Sequence, residues 1–174
     1  PVTVENGGRM AQLLPLASDA EDANDQGHDQ YLRIDYDVEF SAPIGRQCFN
    51  FDLGRDDFIG EIAAARTFCF DDEVAMMQKH GLGLGGSLNN SVVIIRNPAN
   101  GLNTKPSGDI NVLNPQGLRF MDECVRHKIL DAIGDLYLAG APIIGHYKAH
   151  RGGHEMTNLL LRALFSDANN YEFV

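Results

Sequence analysis

One histidine and two aspartates recur at intervals of one helical turn in the second half of the chain. They are His127, Asp131 and Asp135, and they lie within the run VRHKILDAIGD. In a helix of about 100° per residue, three side chains at this spacing share one narrow stripe. An imidazole and a carboxylate one turn apart can bind a single divalent cation through nitrogen and oxygen. The spacing therefore predicts part of a metal site, although the same i,i+4 pair also fits an exposed ion pair.

The apolar residues of this segment predict how the helix is seated. They fall on the side opposite the stripe and are Val125, Ile129, Ala132, Ile133 and Leu136. A helix with one continuous apolar face packs that face on the core. We therefore expect the His/Asp stripe to point away from the core, towards a ligand or another part of the protein.

Composition limits the possible classes of function. The chain has 174 residues, 44% of them hydrophobic, which is enough for one core, and a formal charge of −10. That charge argues against nucleic acid, whose phosphates require a basic patch. No apolar run is long enough for a membrane span and no signal peptide is recognisable, so the expected location is the cytoplasm. Three widely separated cysteines predict neither a disulfide framework nor a CxxC metal motif.

The elements that would position the stripe follow from periodicity. Alternation of apolar and polar residues predicts early strands, and a period near 3.6 predicts helices afterwards. The predicted strands are 2–5, 11–16, 32–40, 47–53, 91–95, 110–113 and 142–147, and the predicted helices are 56–65, 71–80, the His/Asp segment from about 120 to 139, and 155–165. Two stretches are expected to be loops: 18–29, which is acidic and almost without large apolar residues, and 97–109, which is rich in turn residues. The fold class predicted is α+β, a two-layer sandwich with helices packed on one face of a largely antiparallel sheet.

Five motifs in this order carry a resemblance to a known family. They are Arg66-Thr67-Phe68, Gly85-Gly86-Ser87, Gly117-Leu118-Arg119-Phe120, the run from Val125 to Asp135, and Gly153-His154. Together they resemble the C-terminal half of UDP-3-O-acyl-N-acetylglucosamine deacetylase, the zinc amidase of lipid A biosynthesis in Gram-negative bacteria. The resemblance extends from about Leu32 through nearly all of the remaining chain.

The resemblance implies a role for individual residues. His127 and Asp131 match two zinc ligands, His154 matches the catalytic histidine, and Asp135 matches the carboxylate that helps to position it. Thr67 matches a hydroxyl placed near the developing oxyanion, and Lys128 matches a cation near the substrate. Residues 67–95 match a small β-α-β insertion that forms an apolar passage for the acyl chain, with Phe68, Val74, Gly86, Ser87 and Leu88 as the matching positions.

The implied reaction is hydrolysis of the acetamide of a UDP-sugar that carries an acyl chain. Zinc lowers the pKa of a bound water and polarises the carbonyl, and the site normally has three protein ligands. In the family the third ligand is a histidine beside a glutamate that serves as general base, both on an N-terminal domain. No such pair has a match in this sequence, so we expect residues 1–174 to be a single domain, resembling the second domain and supplying half of the site, with the N-terminal domain absent.

Several alternatives remain open at the level of sequence. The chain is either an excised or cleaved domain, or one partner of a split enzyme whose other chain brings the missing groups. It is otherwise a free-standing relative with a rebuilt site, since His146, His150 and His154 recur every four residues. A non-catalytic binding or interaction module is the alternative from a different functional class.

Overall fold

A computed structural model of the protein describes residues 1–16, 31–97 and 110–174, together with the main chain of 105–107. The strands are β1 Val2–Asn6, β2 Arg9–Leu14, β3 Leu32–Glu39, β4 Arg46–Asp52, β5 Thr67–Phe70, β6 Ser91–Ile94, β7 Lys105–Ser107, β8 Ile110–Val112 and β9 Gly145–His150. The helices are α1 Phe58–Glu61, α2 Asp71–Lys79, α3 Glu123–Leu136 and α4 His154–Phe165. The loop predicted at 18–29, and most of the one predicted at 97–109, lie outside the described residues.

A five-stranded sheet in the order β1-β2-β9-β3-β4 carries the two longest helices. Alternation in β3 buries Leu32, Ile34, Tyr36 and Val38 on one face, as the sequence predicted. Helices α3 and α4 pack on that face through apolar residues such as Ile129 and Leu160, both fully buried. Within this five-stranded sheet all neighbouring strands are antiparallel except β3 and β9, which run parallel. The predicted α+β two-layer architecture is confirmed.

A second, smaller sheet contains the β-α-β unit. Strands β5 and β6 pair in parallel with α2 between them in sequence, and β8 and β7 extend the sheet in the order β5-β6-β8-β7. Its core consists of Ile44, Phe70, Val92, Ile94, Ile110, Val112 and Cys124. Residues Thr67–Ile94 thus contain a β-α-β unit, and two strands outside 67–95 extend its sheet.

Several elements differ from those expected. The helix predicted at 56–65 is limited to Phe58–Glu61, because the chain turns after the buried Ile62 towards β5. The strand predicted at 142–147 begins at Gly145 and continues to His150. Pro142 lacks an N–H group for a strand ladder, so pairing starts after it. Lys105–Ser107 forms a short strand within a stretch predicted as loop. Among the described residues, no helix has both the length and the apolar character that crossing a bilayer requires.

Candidate metal and substrate site

The seating of α3 is as predicted from its apolar face. Val125, Ile129, Ala132, Ile133 and Leu136 are all buried in the main core. The stripe is not fully exposed, however, because the side chains of His127 and Asp131 retain only 15% and 17% exposure. The two side chains therefore lie at the edge of the core, where an ionic contact is less screened by water than on an open surface.

His127 and Asp131 contact each other directly. Nε2 of His127 lies 3.2 Å from Oδ1 of Asp131, while Nζ of Lys128 lies 2.6 Å from the other carboxylate oxygen. Burial alone would raise the pKa of Asp131, but the hydrogen bonds from His127 and Lys128 outweigh it and lower the pKa to about 2. Asp131 is thus ionised at neutral pH, as a metal ligand must be. Lys128, predicted to contact substrate, is paired with this carboxylate.

The other ring nitrogen of His127 is held by the main chain. Nδ1 lies 3.1 Å from the carbonyl oxygen of Ala65, two residues before β5. A carbonyl oxygen only accepts hydrogen bonds, so Nδ1 carries the proton. The contact of Nε2 with the Asp131 carboxylate is a hydrogen bond when Nε2 also carries a proton, and a metal bound at Nε2 would take the place of that proton. A second hydrogen bond of this kind commonly fixes the tautomer of a metal-binding histidine.

Asp135 and His154 form the second pair of the site. Nδ1 of His154 lies 2.8 and 3.0 Å from the two oxygens of Asp135, and Nε2 lies 3.9 Å from Asp131. The His154 side chain is 68% exposed, which leaves its Nε2 open to a ligand. The sequence-predicted residues of α3 and α4 are therefore brought together in one row.

Glycines before α4 allow His154 to reach this position. A Cβ at Gly152 would lie 2.7 Å from the Tyr36 hydroxyl and 3.1 Å from Cβ of Ala149, so no larger residue fits without a shift. Gly153 has a φ of 151°, which other residues rarely adopt. The Gly-Gly pair therefore lets the chain pass close to the sheet and start α4 at His154.

A cavity of about 490 Å³ lies beside the β-α-β unit. Thr67 lines it together with all five positions predicted for the acyl passage, which are Phe68, Val74, Gly86, Ser87 and Leu88. Sequence reasoning did not assign Met77 and Leu113, which also line it. Thr67 is exposed at the first position of β5, two residues after the carbonyl that binds His127. The cavity thus opens on the same chain segment that contacts α3.

Asn114 supports one wall of this cavity and was also missed by sequence reasoning. The residue is 1% exposed, and its amide nitrogen donates to the carbonyls of Leu88 and Ser91 at 2.8 and 2.7 Å. Its Oδ1 accepts the N–H of Val93 at 2.9 Å. The sequence motif Asn-Pro around it indicated only a turn.

A buried ion pair, likewise without an assigned role in the sequence, joins β5 to α3. Nε of Arg66 donates to Oε1 of Glu123 at 2.8 Å, and the two side chains are 3% and 1% exposed. Glu123 lies four residues before His127, on the same helix stripe, and this spacing was the signal that could have identified it.

His146 and His150 lie on the other face of the large sheet. Their neighbour Tyr147 points into the core, whereas Nε2 of His146 lies 2.8 Å from Asp35 and Nδ1 of His150 lies 3.3 Å from Asp37. Side chains alternate between the two faces of a strand, so these histidines point away from α3. They do not join His127 and Asp131 as local metal ligands, and that alternative is wrong for this fold.

The side chains of His127 and Asp131 provide two atoms of the kinds that zinc binds. An imidazole nitrogen and a carboxylate oxygen in contact are both ordinary ligands of Zn²⁺. In the part of the chain that the structure describes, no group of three or more His, Cys, Asp or Glu side chains is arranged to hold a metal ion. Among the described residues, His127 and Asp131 therefore offer two donors of the kinds that a zinc site uses.

Comparison with known proteins assigns the family. The model of the UDP-3-O-acyl N-acetylglycosamine deacetylase family matches residues 1–166. The chain belongs to this deacetylase family. It is 42% identical over its whole length to the UDP-3-O-acyl-N-acetylglucosamine deacetylase of Neisseria gonorrhoeae and 41% identical to that of Geobacter sp., covering 49% of each. Over 82% of its length it is 46% identical to the deacetylase of Campylobacter fetus, covering 44% of that protein. The chain therefore spans about half the length of these curated deacetylase relatives.

Proposed function

We propose that this chain supplies half of the active site for zinc-dependent hydrolysis of the acetamide of UDP-3-O-acyl-N-acetylglucosamine, the committed step of lipid A synthesis. The observation that carries the proposal is the row formed by His127, Asp131, His154 and Asp135. Membership of the deacetylase family supports it, because relatives named for this activity align with the full chain. We expect the reaction to take place in the cytoplasm.

His127 and Asp131 would hold the metal through Nε2 and a carboxylate oxygen. Bound zinc would supply an activated water and polarise the amide carbonyl. Ala65 supports this assignment, because its carbonyl contacts Nδ1 of His127, so that Nε2 is the ring nitrogen directed towards Asp131, where a metal would bind. We assign the third ligand and the general base to the N-terminal domain of the deacetylase, outside this sequence, since the chain corresponds to about half of each relative.

His154 is proposed to donate a proton to the leaving glucosamine nitrogen. Asp135 binds its Nδ1 with both carboxylate oxygens, so the ring is held with Nε2 directed towards the row of metal ligands. A positioned proton donor of this kind accelerates cleavage because an amine is a poor leaving group. The Thr67 hydroxyl, at the mouth of the cavity, is proposed to donate to the developing oxyanion. Lys128 is proposed to contribute positive charge near the substrate.

The cavity of the β-α-β unit is proposed to take the acyl chain. Its walls combine apolar side chains, including Phe68, Val74 and Leu88, with glycine main chain at Gly86. Burial of methylene groups against such walls is favourable by about 0.8 kcal/mol each. Binding of the acyl chain here would place the sugar near Thr67, at the end of the cavity that adjoins α3.

A zinc titration followed by NMR tests the metal assignment on this chain alone. Addition of Zn²⁺ should perturb the ring signals of His127 and leave those of His146 unchanged. His146 is the matched control, because it also contacts an aspartate but lies on the opposite face of the sheet. Loss of zinc binding in His127→Ala but not in His146→Ala supports the proposal. Unchanged zinc affinity in His127→Ala contradicts it.

A deacetylation assay tests the half-site assignment. The chain is assayed alone and after addition of a separately produced N-terminal half from a relative. Activity only in the mixture, lost in His154→Ala and in Asp131→Asn, is the expected result. Tight zinc binding and turnover by the chain alone would contradict the half-site, and an inactive mixture that nevertheless binds zinc would favour a binding module.

A further inference from the structure

The peptide group between Ala65 and Arg66 is held at both ends by α3. Its carbonyl accepts from Nδ1 of His127 at 3.1 Å, and its N–H donates to Oε1 of Glu123 at 3.0 Å. The C=O and N–H of a trans peptide point in opposite directions, so the two partners must lie on either side of it. Glu123 and His127 meet this requirement, because they are four residues apart on one helix stripe.

The carboxylate of Glu123 is itself held in one orientation. Arg66 donates from Nε to Oε1 at 2.8 Å and from Nη2 to Oε2 at 3.1 Å, and the main-chain N–H of Arg119 donates to Oε2 at 2.7 Å. Burial alone raises the pKa of Glu123, but these hydrogen bonds outweigh it and hold the pKa below its usual range. Glu123 is therefore a fixed, ionised acceptor.

This ion pair is poorly suited to stabilising the fold. Among the described residues, Nη1 of Arg66 is buried without a hydrogen-bond partner, although Nη2 also donates to the carbonyl of Gly117 at 2.8 Å. An unsatisfied buried donor is costly, and apolar residues often replace a buried ion pair without loss of stability. The arrangement is better explained by what the carboxylate orients than by the stability it contributes.

We propose that Glu123 is a positioning residue for the candidate metal site. By accepting the N–H of Arg66, it orients the Ala65 carbonyl, which in turn selects the Nδ1–H tautomer of His127 and presents Nε2 to the metal. The inference rests on the proposed function, because it assigns Glu123 a role at that site. The same contact also fixes the start of β5 and hence the position of Thr67.

Two double variants separate the acceptor from the ion pair. Arg66→Met/Glu123→Gln removes both charges and keeps an amide oxygen able to accept the main-chain N–H at position 66. Arg66→Met/Glu123→Leu removes both charges and the acceptor. Neither variant buries an unpaired charge, so both are expected to fold, which far-UV circular dichroism and the dispersion of amide signals would check.

The readout is the tautomer of His127 in the metal-free chain. Ring ¹⁵N shifts are recorded at about pH 9, above the ordinary titration range of histidine. The Asp131 carboxylate at Nε2 competes for the ring proton in every variant, so the parent and the glutamine variant should show a larger share of the Nδ1–H form than the leucine variant. In the leucine variant the ratio of Nδ1–H to Nε2–H should fall about tenfold, the effect of losing one well-placed hydrogen bond. Zinc affinity should then fall by about 10- to 100-fold, as for other residues that orient a metal ligand.

Two outcomes would overturn the proposal. One is equal tautomer ratios in the two double variants. The other is a parent ring that carries its proton on Nε2 alone, a result that refutes the proposal even if the leucine variant does not fold. Because the tautomer is measured without metal, this result is independent of the zinc titration. If Glu123 controls the tautomer but the chain binds no zinc, the orientation of His127 by Glu123 is established. The proposed metal site is then refuted.

Discussion

Replacement of Asn114 by alanine tests how the wall of the cavity beside the β-α-β unit is held. Its amide makes three hydrogen bonds, to the main chain of Leu88, Ser91 and Val93, with the side chain 1% exposed. Each lost bond contributes about 1 kcal/mol, and the main-chain groups left behind are deprived of their partner. We expect Asn114→Ala to lower the free energy of unfolding by about 3 kcal/mol.

Asn90 provides a matched control next to the same wall, because it bonds Ser87, which lines the cavity. Its side chain also makes three hydrogen bonds, two to Ser87 and one to the carbonyl of Gly85, but the residue is exposed. Water can replace the lost partners there, so Asn90→Ala should cost no more than about 1 kcal/mol. Both variants lose three hydrogen bonds, so the difference between their losses of stability measures the effect of burial.

Urea denaturation followed by far-UV circular dichroism measures both effects. With a slope of about 2 kcal/mol/M, the midpoint should fall by roughly 1.5 M for Asn114→Ala and by less than about 0.5 M for Asn90→Ala. Equal shifts for the two variants, or a shift below about 0.5 M for Asn114→Ala, would refute the assignment of Asn114 as the buried support of this wall.

Two further predictions concern the large sheet. Gly152→Ala should lower the free energy of unfolding by about 1–3 kcal/mol, because its Cβ overlaps the buried Tyr36 hydroxyl. Gly134→Ala in α3 has open space at its Cβ and should be neutral or stabilising by up to about 1 kcal/mol. Thermal unfolding of the two variants compares these effects. The hydrogen bond from Arg46 is the main cause of the lowered pKa of Asp37, so this carboxylate stabilises the fold above about pH 4 and loses that contribution as pH falls. Asp37→Asn should therefore show a smaller loss of stability between pH 5 and pH 3 than the parent; equal losses would contradict this.

The sequence was sufficient for those features that depend on periodicity. Alternation in β3 and the apolar face of α3 follow from side-chain direction alone, and the structure confirms both. The His127–Asp131 contact also follows from helix geometry, since residues four apart are neighbours. Local rules are enough when both partners lie on one element.

Contacts between distant segments could not be predicted in this way. Glu123 and Arg66 are separated by 57 residues, and the bond from Asn114 to Val93 spans 21. Nothing in local periodicity links such positions, and the tertiary approach of β5 to α3 is what creates the first pair. The parallel pairing of β3 with β9 was missed for the same reason.

The four-residue spacing in α3 explains how one row of side chains contacts two other elements, β5 and α4. Each step of four residues turns about 40° beyond a full rotation, so the row from Glu123 to Asp135 turns by about 120° around the axis. Its first end faces β5, where Glu123 and His127 hold one peptide, and its last end faces α4, where Asp135 binds His154. Asp131 lies between them, 3.2 Å from His127 and 3.9 Å from His154. A strictly straight row would contact only one neighbour, so the slant of the stripe is what brings the proposed ligand pair and the proposed proton donor to one place.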